Sequence, residues 1–254
     1  MKLRKKKLIL FVALLVFIPI SAYAWVLCFP QSLFRHTLTH RNITIHSESE
    51  VDPRWKNVID EFLPLIQSSE LYSNHSKLNV LLISNSNYRR LESLLAKPVL
   101  AKASRNIVFL NGGIDLDHLR LVGPVLEMDL VRTLAHEMTH CLENAHYGMH
   151  NNTASWKREG YAEYVSHLRD RNAPDYHLSS LLDQYEMHVA TSGGNENWME
   201  ISEGVIVPPH YVRWRLLIEY LIATKGMSYE QIVKTELSET DLYQELLEWR
   251  KKQN

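Results

Sequence analysis

Cysteine is nearly missing from this chain of 254 residues, which contains only Cys28 and Cys141. Cys28 sits inside an apolar stretch far from Cys141, so no disulfide can form within the remaining chain. Its fold must therefore stand on its core alone. Glycine and proline, nine of each, are too sparse for a fibrous or low-complexity chain, and no repeat is visible. Neither charge sign is in excess, the net being −1. Lys2, Arg4, Lys5, Lys6 and Lys7 nevertheless supply five positives before any acidic residue, and without them the net charge is −6. The mildly acidic remainder argues against a nucleic-acid partner, and the basic cluster lies where a targeting signal carries one.

After those charges, "LILFVALLVFIPISAYAWVLCF" runs from Leu8 to Phe29 without a charged side chain. As a helix its 22 residues span roughly 33 Å, enough for a bilayer core. A cleavable signal peptide would use Leu8 to Ile18 as its apolar region and Ala22-Tyr23-Ala24 as its cleavage site. A retained anchor would use the whole stretch, with Trp25 and Phe29 near the far interface. The apolar residues beyond Ala24 favour the anchor. On either reading residues 1–29 are a targeting segment, and residues 30–254 form a single domain on the extracytoplasmic side, secreted if the chain is cut after Ala24.

Beyond the anchor, strand and helix patterns alternate. "RNITIHSE", "KLNVLLIS" (77 to 84) and "RNIVFLNGG" (105 to 113) read as strands. Asp52 and Pro53 look like the start of a helix with Val58, Ile59, Phe62 and Leu63 on one face, and "NYRRLESLLAK" reads as a short helix ended by Pro98. From Pro124 onward the pattern predicts helices only, at about 125–146, 156–170, 178–191, 210–225 and 239–252, with a loop at Gly193-Gly194-Asn195. The expected architecture is α+β, a small mixed sheet followed by a helical half.

The chemistry concentrates in "TLAHEMTHCLENAHYGMH", residues 133 to 150. His136 and His140 project from one face of a helix a turn apart, where two imidazoles can reach one zinc ion, and Glu137 between them lies beside the metal. This is the H-E-x-x-H arrangement, in which the glutamate takes a proton from water on the metal. A third ligand is needed. His146 has the spacing of the metzincin pattern, but that pattern requires a glycine where this chain has Glu143, and on a continued helix His146 points away. His150 fits no pattern. Glu159, with eighteen residues between it and His140, lies in "WKREGYAEY", where a crossing helix would bring it to the metal. Glu163, one turn on, is placed to accept a histidine's other N–H. Cys141 follows His140, but a lone cysteine on an apolar helix face is expected to be packed.

H-E-x-x-H, eighteen residues, then W-x-x-E-G-x-A-E-Y resembles the gluzincin zinc metallopeptidases, especially the peptidase MA-like proteins and the M1 aminopeptidases. "PPHYVRWRLLIEYLIATKG" and the segment after it are similar to their closing helices, so that residues 105–252 carry the resemblance. It implies a zincin-like fold, zinc as cofactor, Glu159 as the third ligand, and a tyrosine that supports the transition state. The aminopeptidases' G-x-M-E-N segment has no counterpart here, where the strand ends in Asn111-Gly112-Gly113. An endopeptidase that pairs its protein or peptide substrate with strand 107–111 is therefore the plainer expectation.

The expected roles follow. A zinc ion with three protein ligands leaves a place for water and lowers its pKa to about 7, and Glu137 acts as general base. Tyr211, with His210 as alternate, is the expected oxyanion donor, because Pro208-Pro209 would start a helix and expose its first turn. Arg213 and Arg215 read as solvated, and His36, His40 and His46 as surface residues. A membrane-tethered zinc metallopeptidase is the expectation. Its rival is a non-catalytic, zinc-stabilised binding or assembly module, which would have no need of Glu137.

Overall fold

Alternating apolar residues build a five-stranded sheet in the order β1-β2-β3-β5-β4. Its strands are β1 (His36–His40), β2 (Ile43–Ser47), β3 (Leu78–Leu82), β4 (Ala101–Ser104) and β5 (Ile107–Leu110). The inner strands β2, β3 and β5 are parallel, and β1 and β4 close the two edges antiparallel. The period of two divides the side chains. Val80, Val108 and Leu110 enter one core, whereas Leu81, Ile107 and Phe109 pack with Phe34, Ile83 and Tyr88 on the other face. The computed structural model describes residues 15, 17, 18, 20–26, 28–84, 86–93, 97, 99–149, 152–192, 198–202 and 205–253.

Helix α1 (Trp55–Gln67) covers the first face with Val58, Ile59, Phe62, Leu65 and Ile66. It starts later than Asp52-Pro53 predicts, because the Asp52 carboxylate accepts the Arg54 N–H and holds a turn ahead of the helix. Helix α2 (Asn87–Glu92) is capped by Ser86. Three short strands, β6 (Gly113–Asp115), β7 (Arg120–Val122) and β8 (Glu127–Asp129), then form a second, antiparallel sheet. Strand β8 leads directly into α3 (Leu130–Tyr147), which begins where the Asp129 side chain accepts the Arg132 N–H. It ends at Gly148, whose φ of 83° suits glycine.

The second half is helical: α4 (Ser155–Ser166), α5 (Leu168–Arg171), α6 (Leu178–Thr191), α7 (Pro209–Glu219), α8 (Tyr229–Lys234) and α9 (Glu239–Lys251). Two predicted helices are broken. Residues 156–170 divide at His167, and α7 runs into one π-helical turn at Tyr220–Thr224. Nor are there helices only beyond Pro124, for β8 precedes α3 and a hairpin of β9 (Met199–Ser202) and β10 (Val205–Val207) precedes α7. Strands this short carry too few alternations to stand out in the sequence. Helices α4 and α7 approach closely at Gly160, where a Cβ would lie 2.5 Å from the Trp214 carbonyl oxygen.

The α+β class with a small mixed sheet is as expected. Of the predicted anchor Leu8–Phe29, residues 8–14, 16, 19 and 27 lie outside the described residues, as does the predicted loop Gly193-Gly194-Asn195. Among the described residues no helix is long and apolar enough to cross a membrane.

Candidate metal centre

Helix α3 buries Leu130, Leu134, Met138, Cys141 and Leu142 in the sheet-side core, which fixes its rotation. His136 and His140 are thereby turned toward α4, where Glu159 meets them. The Nε2 atoms of the two histidines are 3.2 Å apart, and Glu159 Oε2 is 3.3 Å from each. A tetrahedral zinc shell with bonds of about 2.0–2.1 Å has edges of about 3.3–3.4 Å. The three atoms thus have the spacing of one face of such a shell. Among the described residues they are the group of three that could hold a metal ion.

The remaining ring nitrogens settle which atoms are free to bind. His136 Nδ1 donates to Glu163 Oε1 at 2.9 Å, and His140 Nδ1 donates to Glu143 Oε2 at 2.8 Å. With both Nδ1 hydrogens committed to carboxylates, the neutral rings present bare Nε2 lone pairs to one point. Glu143 is itself fully buried and accepts the Tyr229 hydroxyl. Glu163 is held from the other side by His167.

The electrostatics favour a cation. Burial alone would depress His140, but hydrogen bonds to Glu143 and Glu159 outweigh it and lift its pKa to about 9. His136 is raised in the same way by Glu159 and Glu163 against burial. Glu163 goes the other way: burial would raise it, yet His136 and neighbouring cationic groups bring it down to about 2. Glu159 is likewise held well below the usual carboxylate range by both histidines, despite its burial. The carboxylates pull positive charge into the cluster, and protons and a metal ion compete for that place.

Glu137 stands apart from the triangle. It lines a cavity of about 270 Å³ and accepts the backbone N–H of Ala103 in β4. Burial raises its pKa above that of an ordinary glutamate, making it a stronger base. Tyr211, in the first turn of α7, lines the same cavity, lies with its ring centroid 6.0 Å from that of His136, and hydrogen-bonds Glu159. Burial first, then the nearby carboxylates, keep its phenol protonated far above neutrality. His210 is exposed, its ring tilted against Tyr211 and edge-on to Trp214.

Structure and sequence part company at several residues. Strand 107–111 offers no free edge, because β5 is paired on both sides; the outer strand beside Glu137 is β4. Arg215 is not solvated but buried, beside Glu219 at 3.7 Å. His40 lies at the surface, as expected, with its Nε2 2.8 Å from Asp60. Other readings hold: His146 is exposed in the last turn of α3, as expected, and Cys141 is buried and forms no disulfide, while His150 lies outside the described residues. Two residues were missed. Glu143 follows His140 by three and His167 follows Glu163 by four, helical spacings that would have found both. Comparison of the chain with protein-family models, with curated proteins and with solved structures finds no match.

Proposed function

We propose that this chain is a zinc-dependent peptidase, in which His136, His140 and Glu159 hold the metal and Glu137 is the general base. The observation that carries the reading is the triangle of 3.2–3.3 Å, with each histidine's other nitrogen tied to a carboxylate. A structural metal would have no use for Glu137, which is half-buried beside the cluster and lines the cavity.

When bound, zinc supplies Lewis acidity, polarising a carbonyl and acidifying water. Glu137, its basicity raised by burial, takes the proton of the attacking water and returns it to the leaving amine. Tyr211 keeps its proton and donates a hydrogen bond to the oxygen on which charge develops. A peptide lies along the outer edge of β4, whose Ala103 N–H also steadies Glu137. The exposed apolar side chains from Leu15 to Phe29 support an N-terminal membrane tether with the peptidase domain outside the cytoplasm.

The test uses the full chain in detergent, with bound metal and cleavage of a peptide mixture measured together. Wild type and Glu137→Gln each bind one zinc, Glu159→Ala binds none, and Glu137→Gln cleaves about 10²–10⁴-fold more slowly. Zinc binding with no cleavage of any peptide by the wild type would favour a zinc-stabilised assembly module and defeat the peptidase reading.

A further inference from the structure

The N-terminal segment does not hang from the domain by a linker. A helical hydrogen bond still joins the Phe29 N–H to the Trp25 carbonyl, Pro30–Leu33 follow at once as a 3₁₀ turn, and β1 begins at His36. Val26 and Leu33 pack on the sheet face that holds Leu81, Ile83, Tyr88, Ile107 and Phe109. Two hydrogen bonds fasten this end of the segment further. The Tyr23 hydroxyl donates to the Leu91 carbonyl of α2, and Arg105 Nη1 donates to the Cys28 carbonyl, each at 3.1 Å. Leu15, Phe17, Ile18, Ile20, Trp25 and Phe29 meanwhile stay exposed.

That docking sets the segment beside the catalytic edge. Arg105 stands in the turn between β4 and β5, and Ala103 of β4 gives its N–H to Glu137. An arginine side chain and two residues of strand reach at most about 15 Å, which puts Glu137 within about 20 Å of the Cys28 carbonyl. This is less than half the breadth of a domain of this size, about 45 Å. The surface there is charged to match. Arg35, Arg90 and Arg105 adjoin these contacts, are exposed and lie outside every salt bridge among the described residues, in a domain that is acidic overall. Guanidiniums so placed favour anionic lipid headgroups.

We propose that the domain is seated on the bilayer by this face and that its substrates are membrane-anchored proteins, cut in the first residues outside their own anchors. The proposal rests on the tether and on the peptidase reading, and it names the latter's substrate class. Roughly six residues of extended chain span about 20 Å, so an anchored substrate reaches β4 on a short spacer. A long spacer dilutes it, since effective concentration falls roughly as the −3/2 power of length, and a soluble protein has no such confinement.

Two arms test it on the full chain in vesicles of phosphatidylcholine and phosphatidylglycerol. In the first, Cys28→Ser protein carrying Ser104→Cys is labelled with a fluorophore, and energy transfer to labelled headgroups measures the height of β4. A height within about 20 Å is expected, and a greater one overturns the seat. Protein that fails to float with the vesicles defeats the tether reading, and the seat with it. In the second arm, a sequence cut in the peptide mixture is placed on a transmembrane anchor behind a Gly-Ser spacer. A spacer of about 8 residues is cut about 20-fold faster than one of about 64. A flexible linker inserted between Phe29 and Pro30 narrows that ratio to within about twofold. Equal rates at the two lengths, or a ratio that the linker leaves unchanged, overturn the substrate class. A low label on zinc-loaded protein that cuts no peptide leaves the seat standing and fells the peptidase reading, the substrate class with it.

Discussion

The sheet half and the helical half bury different kinds of residue. Beneath the sheet, Ile43, Ile45, Val58, Ile59, Phe62, Ile66 and Val80 make an almost purely aliphatic core. In the helical half the core is rich in aromatics, with Trp156, Tyr161, Tyr185 and Tyr229 among them, and Tyr161 and Tyr229 stack at 3.6 Å. Apart from Glu92, the buried charged groups among the described residues, such as Glu143, Lys157, Glu163, Arg215 and Glu219, belong to α3 and the helices after it, with His167 at the break between α4 and α5. An apolar core resists change in volume and is indifferent to charge; a core of paired charges responds to both. Helix α3 belongs to the two at once. One face locks it to the sheet, and the histidine face works among the acids.

The division can be tested by damaging each side separately. Phe62→Ala, wholly within the aliphatic core, should cost about 3–5 kcal/mol of stability yet leave the zinc affinity of the folded fraction unchanged. Chemical denaturation beside zinc titration measures both, and a parallel loss of affinity would show that the halves are not separable. Glu143→Gln attacks the other side. It weakens the support of His140 and should reduce zinc affinity about 10–100-fold, with Tyr229→Phe shifting affinity in the same direction. Unaltered affinity in both variants would remove Glu143 from the site.

A milder probe is pH. His140 is raised from 6.5 to about 9 in the metal-free fold, so its stabilisation is complete below about 6.5 and fades as pH rises through about 9. Glu163 is depressed to about 2; its contribution is present above about 4.5 and is lost as pH falls toward 2. Metal-free protein should accordingly lose melting temperature between pH 6.5 and 9, whereas zinc affinity should climb over the same interval as protons leave the histidines. A metal-free melting temperature that is flat over this range would contradict the assigned pairing of His140.

The same contrast explains what could be read from the chain. Helix periodicity places His136 and His140 together, and the second helix brings Glu159 to them at the predicted point. The parallel strands were legible, β2 from the alternation of Ile43 and Ile45 with polar residues, β3 and β5 as short, mostly apolar runs. Strand β4 was not, since the alternation in "AKAS" rests on two alanines, which are poor strand formers, and it owes its conformation to pairing with β5. Arg215 was misjudged because arginine is ordinarily solvated, and only the fold surrounds it with Glu219, Asp170 and Tyr176. Glu143 was seen only as a missing glycine of another pattern, which hid its role as an acceptor.

Gly160 sits between Glu159 and the next turn of α4, and the hydrogen it carries in place of a Cβ faces the Trp214 carbonyl of α7. Even an alanine methyl there would act as a wedge, forcing α7 outward and carrying Tyr211 away from Glu159. The gap between an acid and a phenol on separate helices is therefore gauged by an α-carbon that bears no side chain.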